Sequence, residues 1–163
     1  MIVVRIRPLG VDDESWKNDA LVRAWGSTTV ARKGVLIDAA ALPGLVAEVD
    51  GQRAGLVTYA RRDGELEIVT IHVDEEGRGV GRALMDAVVD RARDEGVRRI
   101  WLITTNDNLR ALAFYQRWGM DLVALIRDGV IASRLVKPSI PMVGRDGIPI
   151  RHELEFELLL DQR

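Results

Sequence analysis

The sequence predicts an α/β fold, in which helices flank a central mixed sheet whose strands are mostly antiparallel. Two observations predict this class. In the middle of the chain, three apolar runs follow one another with only the turns Asp50-Gly51 and Asp63-Gly64 between them, a pattern typical of antiparallel strands. From residue 79 onward, the apolar residues recur at helical spacing instead. A length of 163 residues predicts one domain, residues 1–163, with a sizeable core.

The first half of the chain is predicted to hold four strands and one helix. A strand over residues 2–7 is ended by Pro8, and a helix over residues 12–25 carries apolar residues on one face. Residues 26–43 follow no clear period and have no assignment. The three antiparallel strands come next, at Leu45–Glu48, Ala54–Tyr59 and Leu66–Val73.

Helices and strands alternate in the second half. The helix from Gly79 to Glu95 has the apolar stripe of a helix that lies on a sheet, and Gly96 closes it. The remaining elements are a strand at Ile100–Thr104, a helix capped by Asn108 and ended by Gly119, and strands at Leu122–Ile126 and 153–160. Residues 137–151, between the last two strands, form a proline-rich insertion that is too apolar for a solvated tether.

The composition argues against several classes of function. A net charge of −2 gives no electrostatic reason to expect nucleic-acid binding. The chain has no cysteine and only two histidines, so we expect neither thiolate chemistry nor a metal site. No apolar run approaches the ~20 residues of a membrane span, and Met1–Arg5 becomes charged too early for a secretory signal. We therefore expect a cytoplasmic protein that does not bind membranes.

A glycine-rich stretch between a strand and an amphipathic helix, Glu76-Gly77-Arg78-Gly79-Val80-Gly81, is the strongest local pattern. Glycines let a backbone approach a ligand closely, and a helix start offers unpaired N–H groups to a phosphate, to which Arg78 and Arg82 could add charge. The stretch is equally compatible with a tight turn. Its spacing differs from G-x-G-x-x-G and no Gly-Lys-Ser/Thr follows, which disfavours a dinucleotide fold and a P-loop.

Residues 76–81 resemble the acyl-CoA signature of the GNAT superfamily of N-acetyltransferases, R/Q-x-x-G-x-G/A. A second stretch, Asn108-x-x-Ala111-x-x-Phe114-Tyr115-x-x-x-Gly119-Met120, is similar to another motif of that family, N-x-x-A-x-x-(L/F)-Y-x-x-x-G-F. The resemblance covers about residues 45–127. The chain departs from the family at Glu76, where Gln or Arg is usual, with Asp74 and Glu75 before it. We expect these carboxylates to weaken the binding of a pyrophosphate without abolishing it.

The resemblance implies a splayed sheet, with coenzyme A between the strands that end near Val73 and Thr104. It also implies an N-acetyltransferase that takes acetyl-CoA as co-substrate and a primary amine, of a small molecule or a peptide, as acceptor. The residues expected to contact the cofactor are Ile71, His72, Val73, Arg78, Gly79, Val80, Gly81, Arg82, Asn108 and Phe114. The sequence leaves open whether acyl donors longer than acetyl are used and whether the chain forms a homodimer.

By the same resemblance, the catalytic roles fall to Glu67 and Tyr115. The family's general base often lies six residues before the end of the strand that binds pantetheine, which is Glu67 here, and strand alternation puts residues 67, 69, 71 and 73 on one face. Tyr115 matches the usual general acid for the CoA thiolate, although its helical spacing alone would make it a core residue. Glu65 and His72 are weaker candidates for the base, and His72 is expected on the opposite face as a structural residue.

Two alternatives to an enzyme of this family stay open. A module with the same fold could bind acyl-CoA as a sensor or an assembly subunit, but such a module needs neither Glu67 nor Tyr115. An unrelated phosphate-binding domain would need a residue that reads a ribose or a base, and none follows the glycine-rich stretch. Residues 26–43 and 137–151 are expected around the acceptor. The insertion is either a wall or lid of the acceptor pocket, or a cover for a sheet edge or dimer contact.

Overall fold

The computed structural model describes residues 1–160 of the chain. These residues contain nine strands and four α-helices. Residues 161–163, the end of the predicted domain, lie outside the described residues. The strands are β1 (Val4–Pro8), β2 (Thr29–Arg32), β3 (Val35–Asp38), β4 (Gly44–Val49), β5 (Gln52–Arg62), β6 (Glu65–Val73), β7 (Arg99–Thr105), β8 (Asp121–Ile126) and β9 (Glu153–Leu159). The helices are α1 (Glu14–Trp25), α2 (Val80–Asp94), α3 (Leu109–Trp118) and α4 (Gly129–Val136). None of these helices is long and apolar enough to cross a membrane.

Seven of these strands form one mixed sheet, in the order β1-β4-β5-β6-β7-β9-β8, while β2 and β3 form a separate hairpin. Neighbouring strands of the sheet run antiparallel, except that β6 and β7 are parallel. The predicted α/β class, the mostly antiparallel sheet and its three consecutive antiparallel strands are therefore confirmed.

Strands β6 and β7 stay paired only where they begin. Glu65–Glu67 pairs with Arg99–Trp101, and beyond these residues the two strands separate. Each strand keeps its other neighbour, because β6 pairs with β5 as far as Val73 and β7 pairs with β9 as far as Thr105. A gap therefore opens in the middle of the sheet beyond Glu67 and Trp101.

The main core lies between the sheet and the helices α2 and α3. Leu84 and Val88, from the predicted apolar stripe of α2, belong to one buried cluster with Phe156 of β9. Phe156 has no exposed surface, and burying a side chain of this size stabilises the fold by about 2–3 kcal/mol. On the other face of the sheet, α1 packs Leu21 into a smaller cluster with Leu56 of β5. We call these two sides of the sheet the α2 face and the α1 face.

A β-bulge in β6 reverses the alternation of its side chains. Tyr59 of β5 pairs with Ile68, and the preceding residue, Thr58, pairs with Thr70. Val69 is therefore an extra residue on β6 without an opposite residue on β5. Because side chains alternate with a period of two, one inserted residue exchanges the faces for everything that follows.

The bulge separates the predicted base from the predicted cofactor contacts. Glu67 lies on the α1 face, whereas Ile71 and Val73 join the main core on the α2 face. The prediction that residues 67, 69, 71 and 73 share one face is therefore wrong, because Val69 shifts the alternation. The predicted opposition of His72 to Glu67 is wrong for the same reason. His72 shares the α1 face, where its ring meets that of Trp25 edge-on, 6.5 Å between centroids.

The structure contains two elements that were not predicted from the sequence, the β2–β3 hairpin and helix α4. The unassigned residues 26–43 contain the β2–β3 hairpin, whose turn residues Lys33 and Gly34 have φ of 51° and 73°. Its strands have four residues each, too few to display a period of their own. Helix α4, of eight residues, follows β8 directly and packs against this hairpin. Both elements therefore depend on tertiary contacts that short patterns do not reveal.

The insertion over residues 137–151 is fastened to the rest of the fold. A bridge between Val143 and Pro149 folds it back on itself. The Arg134 guanidinium donates to the carbonyls of Ile140, Pro141 and Ile150. The Asn106 amide, just after β7, binds backbone groups of Pro149, Arg151 and His152. These contacts fix the backbone at the far end of the insertion beside the end of β7.

Buried or bridging lysines tie α1 to its surroundings. Lys137 Nζ donates to the carbonyl oxygens of Trp25, at 2.9 Å, and Thr29, at 2.6 Å. Burial lowers the pKa of Lys137, which is only 8% exposed. Lys17 Nζ donates to the Ala40 carbonyl at 2.6 Å. The end of α1, the start of the hairpin and the start of the insertion therefore meet at one lysine.

Candidate functional site

The gap between β6 and β7 brings most of the predicted cofactor residues together. Beyond Glu67, the edge of β6 that faces β7 pairs with no strand among residues 1–160. The backbone of residues 68–73 therefore borders the opening, where an extended ligand could hydrogen bond to it as a strand would. The start of α2 lies beside the end of β6, since a Cβ built on Gly81 would be 3.7 Å from Val73 Cγ1.

The glycine-rich loop gives α2 a start without a side-chain cap. Gly77 and Gly79 have φ of 81° and 77°, in the left-handed region that favours glycine. Gly79 precedes the helix and makes no side-chain cap bond. The first amides of α2, those of Val80, Gly81 and Arg82, are therefore left to solvent or a ligand. Unpaired N–H groups and the positive end of the helix dipole form a suitable site for a phosphate.

The three acidic residues 74–76 at the glycine-rich loop each have a side-chain partner. The pairs are Glu76–Arg110 at 3.2 Å, Glu75–Arg78 at 3.0 Å and Asp74–His72 at 3.1 Å. These contacts are exposed, so each contributes little to stability. The two arginines nevertheless offset negative charge beside the start of α2, and Arg78 is engaged by Glu75. Arg82, exposed in the first turn of α2, is placed to meet an anion there.

Helix α3 is in close contact with α2 at the same loop. A Cβ built on Gly81 would lie 3.3 Å from Cζ of Phe114, a tight contact to which the Phe114 ring would have to adjust by a few tenths of an ångström. The predicted cap of α3 is confirmed, because Asn108 Oδ1 accepts a hydrogen bond from the Ala111 amide at 3.2 Å. The cap fixes the start of α3 directly after the end of β7.

Tyr115 lies in the main core, on the α2 face of the gap. Its side chain is 7% exposed. The ring packs at 5.5 Å between centroids against Phe156 and, edge-on, against Phe114. Burial raises the pKa of Tyr115 above its ordinary value, so the hydroxyl stays protonated over a wide pH range. The core position predicted from helical spacing is therefore present.

Glu67 is bound by an arginine of the β2–β3 hairpin. Arg32 Nε and Nη2 donate to the two carboxylate oxygens at 2.6 and 2.5 Å. Glu67 is only 5% exposed. The hydrogen bonds to Glu67 raise the pKa of Arg32 above its ordinary value, although burial opposes the shift. The pair therefore attaches the hairpin to β6 at the point where β6 and β7 separate.

Trp101 of β7 lies beside this pair. The Arg32 guanidinium is 5.4 Å from the centre of the indole ring, and Lys33 Nζ is 4.8 Å from it. Lys33 Nζ also donates to Glu155 at 2.6 Å, and its backbone amide donates to the buried Glu153. The tip of the hairpin is thus held by β6, β7 and β9 together.

Sequence reasoning missed Arg32 and Trp101 as neighbours of Glu67. The local signal for Arg32 was its position immediately before the turn Lys33-Gly34, which marks the tip of a hairpin. Trp101 stands opposite Glu67 in the parallel pairing of β6 and β7, a relation that no local pattern records. Among residues 1–160, no group of three or more His, Asp or Glu side chains is arranged to hold a metal ion.

Comparison with known proteins agrees with this geometry. The acetyltransferase (GNAT) family matches residues 13–120. The uncharacterized protein YdhI of Bacillus subtilis (strain 168) is 35% identical over 144 residues, which cover 88% of this chain and 90% of YdhI.

Solved structures show the same fold. The IAA acetyltransferase from Bacillus cereus ATCC 14579 superposes with a TM-score of 0.74 at 21% identity, covering 97% of this chain and 100% of that one. A Bacillus subtilis acetyltransferase in complex with CoA has a TM-score of 0.67 at 18% identity, covering 99% of this chain and 100% of its own. The family match spans both the glycine-rich loop and α3, and the divided sheet has the architecture of those structures. The chain therefore belongs to the acetyltransferase (GNAT) family.

Proposed function

We propose that this acetyltransferase moves the acetyl group of acetyl-CoA directly to a primary amine. The observation that carries the proposal is the gap between β6 and β7, which has the uncapped start of α2 at its mouth. A pantetheine arm fits along the unpaired edge of β6, and a pyrophosphate fits the first amides of α2. The neighbouring Bacillus subtilis structure with CoA supports this use of the fold.

Direct transfer makes three chemical demands. The neutral amine attacks the thioester carbonyl carbon, so that a C–N bond forms and the C–S bond breaks. The amine nitrogen must lose a proton, and the departing CoA thiolate must gain one. We assign the proton donor to Tyr115, because burial keeps its hydroxyl protonated and its helix borders the gap.

We assign the proton acceptor to Glu67, acting through a water molecule. Its carboxylate lies where β6 and β7 separate, on the face opposite Tyr115. Arg32 uses one lone pair on each carboxylate oxygen, which leaves further lone pairs for a water. In this arrangement Arg32 orients the carboxylate of Glu67.

The acceptor approaches from the α1 face in this proposal. We expect the β2–β3 hairpin and the insertion over residues 137–151 to line this approach. Asn106 and Arg134 hold the backbone of the insertion by hydrogen bonds, which supports a fixed wall and not a moving lid. The acceptor is a primary amine of a small molecule or a peptide.

Calorimetric titration with acetyl-CoA, with ATP and NAD as controls, tests the cofactor part of this proposal. Saturable binding of acetyl-CoA alone is expected, and binding of ATP instead would overturn it. A panel of amines then tests transfer through the release of free CoA thiol. Because the chain has no cysteine, every thiol that a disulfide reagent detects comes from CoA.

One observation favours a second candidate, an acyl-CoA-binding module without catalysis. Arg32 already hydrogen bonds to both oxygens of Glu67, and the carboxylate is only 5% exposed, so little room is left for a water or an amine beside it. Such a module would bind acetyl-CoA in the calorimeter, yet no amine would accelerate thiol release. The two experiments together therefore separate the enzyme from the module.

A further inference from the structure

We propose that Glu153 is a second counter-ion of Arg32, which keeps the guanidinium compensated and in place when Glu67 takes up a proton. Glu153 is thus a positioning residue, because it acts on Glu67 through Arg32. The proposal rests on the proposed function, in which Glu67 is the proton acceptor.

Glu153, at the start of β9, is a buried carboxylate that forms no ion pair with a basic side chain of residues 1–160. It is 1% exposed. Its oxygens accept hydrogen bonds from neutral donors, the Lys33 amide at 3.0 and 3.2 Å and the Ser133 hydroxyl at 2.9 Å. An ionised carboxylate is costly to bury unless another charge compensates it. We therefore expect a cation close by that does not touch Glu153.

Arg32 is that cation. It precedes Lys33 in the chain, so the hydrogen bonds from the Lys33 amide place the Glu153 carboxylate one residue away from Arg32. The hydrogen bonds to Glu67 raise the pKa of Arg32 most, burial opposes the shift, and the negative charge of Glu153 adds to it. Arg32 therefore has two buried carboxylates as neighbours, and it bonds directly to one of them.

Proton uptake by Glu67 changes the balance of charge in this group of three side chains. The other charged side chains on the same face form ion pairs with one another; they are Lys33, Arg99, Glu65, Glu155 and Glu157. Glu67, Arg32 and Glu153 together carry one net negative charge. The proton of the attacking amine passes through the water to a Glu67 oxygen, which makes Glu67 a neutral acid and the group of three neutral.

Without Glu153, the same proton transfer would leave an uncompensated guanidinium. The Arg32 side chain is only 21% exposed, so water compensates its charge poorly. Glu153 therefore removes an electrostatic penalty that Arg32 would otherwise impose on proton uptake by Glu67.

A double-mutant cycle tests the proposal without an acceptor amine. Glu67→Gln puts a neutral group of the same shape in place of the carboxylate and so imitates Glu67 after proton uptake. In the wild type, Glu153→Gln leaves Arg32 its pair with Glu67, whereas in the Glu67→Gln background it leaves Arg32 neither carboxylate. Urea unfolding should show that Glu153→Gln lowers the folding equilibrium constant about fivefold or more beyond its effect in the wild type. Equal effects in the two backgrounds would overturn the proposal.

Three further variants separate charge from shape. Glu153→Asp keeps the charge, so in the Glu67→Gln background it should cost less stability than Glu153→Gln, although glutamine matches glutamate more closely in size. The opposite order would contradict a role for the charge. Ser133→Ala removes a hydrogen bond to Glu153 but no charge, and its effect should be the same in both backgrounds. With Arg32→Gln present, the excess loss from Glu67→Gln and Glu153→Gln should disappear, because no guanidinium is left to share.

Thiol release with any accepted amine gives a second readout. Glu153→Gln should lower kcat by about tenfold and leave the dissociation constant of acetyl-CoA unchanged, whereas Ser133→Ala should leave both near the wild-type values. A wild-type kcat in Glu153→Gln, together with additive stability effects, would refute the inference and leave the proposed function standing. An excess loss of stability in a chain that accepts no amine would instead support the shared pairing and count against the proposed enzyme.

Discussion

Arg32 and Glu67, 35 positions apart in the sequence, form a two-point ion pair with N···O distances of 2.6 and 2.5 Å. The pair joins a peripheral hairpin to the central strand β6, at the point where the sheet divides. The Arg32 side chain is 21% exposed, and Glu67 is nearly inaccessible. Removing one partner therefore leaves a poorly solvated charge behind, which is costly for stability.

Comparing Glu67→Gln with Arg32→Gln separates the catalytic from the structural role of this pair. Both variants break the pair, and we expect each to lower the free energy of unfolding by about 2–3 kcal/mol, somewhat below the cost for a fully buried pair. Only Glu67→Gln removes the proposed proton acceptor, so it should also lower kcat by about 10²-fold or more. Urea unfolding and thiol-release kinetics measure the two effects. Equal kinetic losses in both variants would assign Glu67 to structure alone.

Tyr115→Phe tests the proposed proton donor. The substitution keeps the buried ring and its packing against Phe156, so we expect an acetyl-CoA affinity near that of the wild type. Loss of the hydroxyl should lower kcat by about 10²-fold, within the range for general acid catalysis. The chain contains one other tyrosine, the buried Tyr59 of β5, and Tyr59→Phe is the matched control. Full turnover by Tyr115→Phe would remove this residue from the mechanism.

Glu76→Gln should strengthen the binding of acetyl-CoA. The change removes a negative charge beside the start of α2 and releases Arg110 from its 3.2 Å contact. Because these groups are exposed, we expect only about a two- to fivefold gain in affinity, and less at high salt. Asp63→Asn, in the turn at the opposite end of β6, is the control. An unchanged dissociation constant for Glu76→Gln would show that Arg110 already neutralises the site.

Asp13 should determine part of the acid sensitivity of the fold. Its carboxylate is 1% exposed, and hydrogen bonds from Arg7, with those from Gly10 and Arg53, hold its pKa well below the ordinary value. The unfolded chain therefore binds this proton at a higher pH than the folded chain does. The stabilisation is complete above the ordinary aspartate pKa of about 4 and is lost as pH falls below it.

Asp13→Asn isolates this contribution. At pH 7 we expect the variant to lose about 1–2 kcal/mol of unfolding free energy, because Arg7 and Arg53 still reach water. The difference from the wild type should shrink as the pH falls below about 4. Urea unfolding at a series of pH values measures it. A difference that stays constant through this range would mean that ionisation of Asp13 does not contribute.

Elements with long local patterns were predictable from the sequence. The stripe of α2, the Asn108 cap of α3 and the three antiparallel strands all follow from residues within a few positions of one another. The glycine-rich loop, α3 and the residues that border the gap could therefore be identified from the sequence. The bulge at Val69 was not, because one inserted residue leaves the composition of β6 that of an ordinary strand.

The surroundings of Glu67 could not be predicted in the same way. Arg32, Trp101 and Glu153 come from three elements that are distant in the sequence, and short strands such as β2 have no period that would place them. Only the folded sheet makes them neighbours. A rule based on strand alternation therefore assigned Glu67 to the wrong face, although it selected a residue at the edge of the gap.

The hydrogen bonds of the lysine side chains make them poor acceptors for an acetyl group. Lys17, Lys33 and Lys137 are the lysines of this chain, and each directs its ammonium group to a fixed oxygen: a carbonyl, a glutamate and two carbonyls respectively. A nitrogen held in this way is a poor nucleophile, and Lys137 is sealed from solvent as well. Arginine carries most of the other positive charge, and its guanidinium does not attack thioesters readily. If acetyl-CoA is the donor, as proposed, we therefore expect little acetylation of the chain's own lysines.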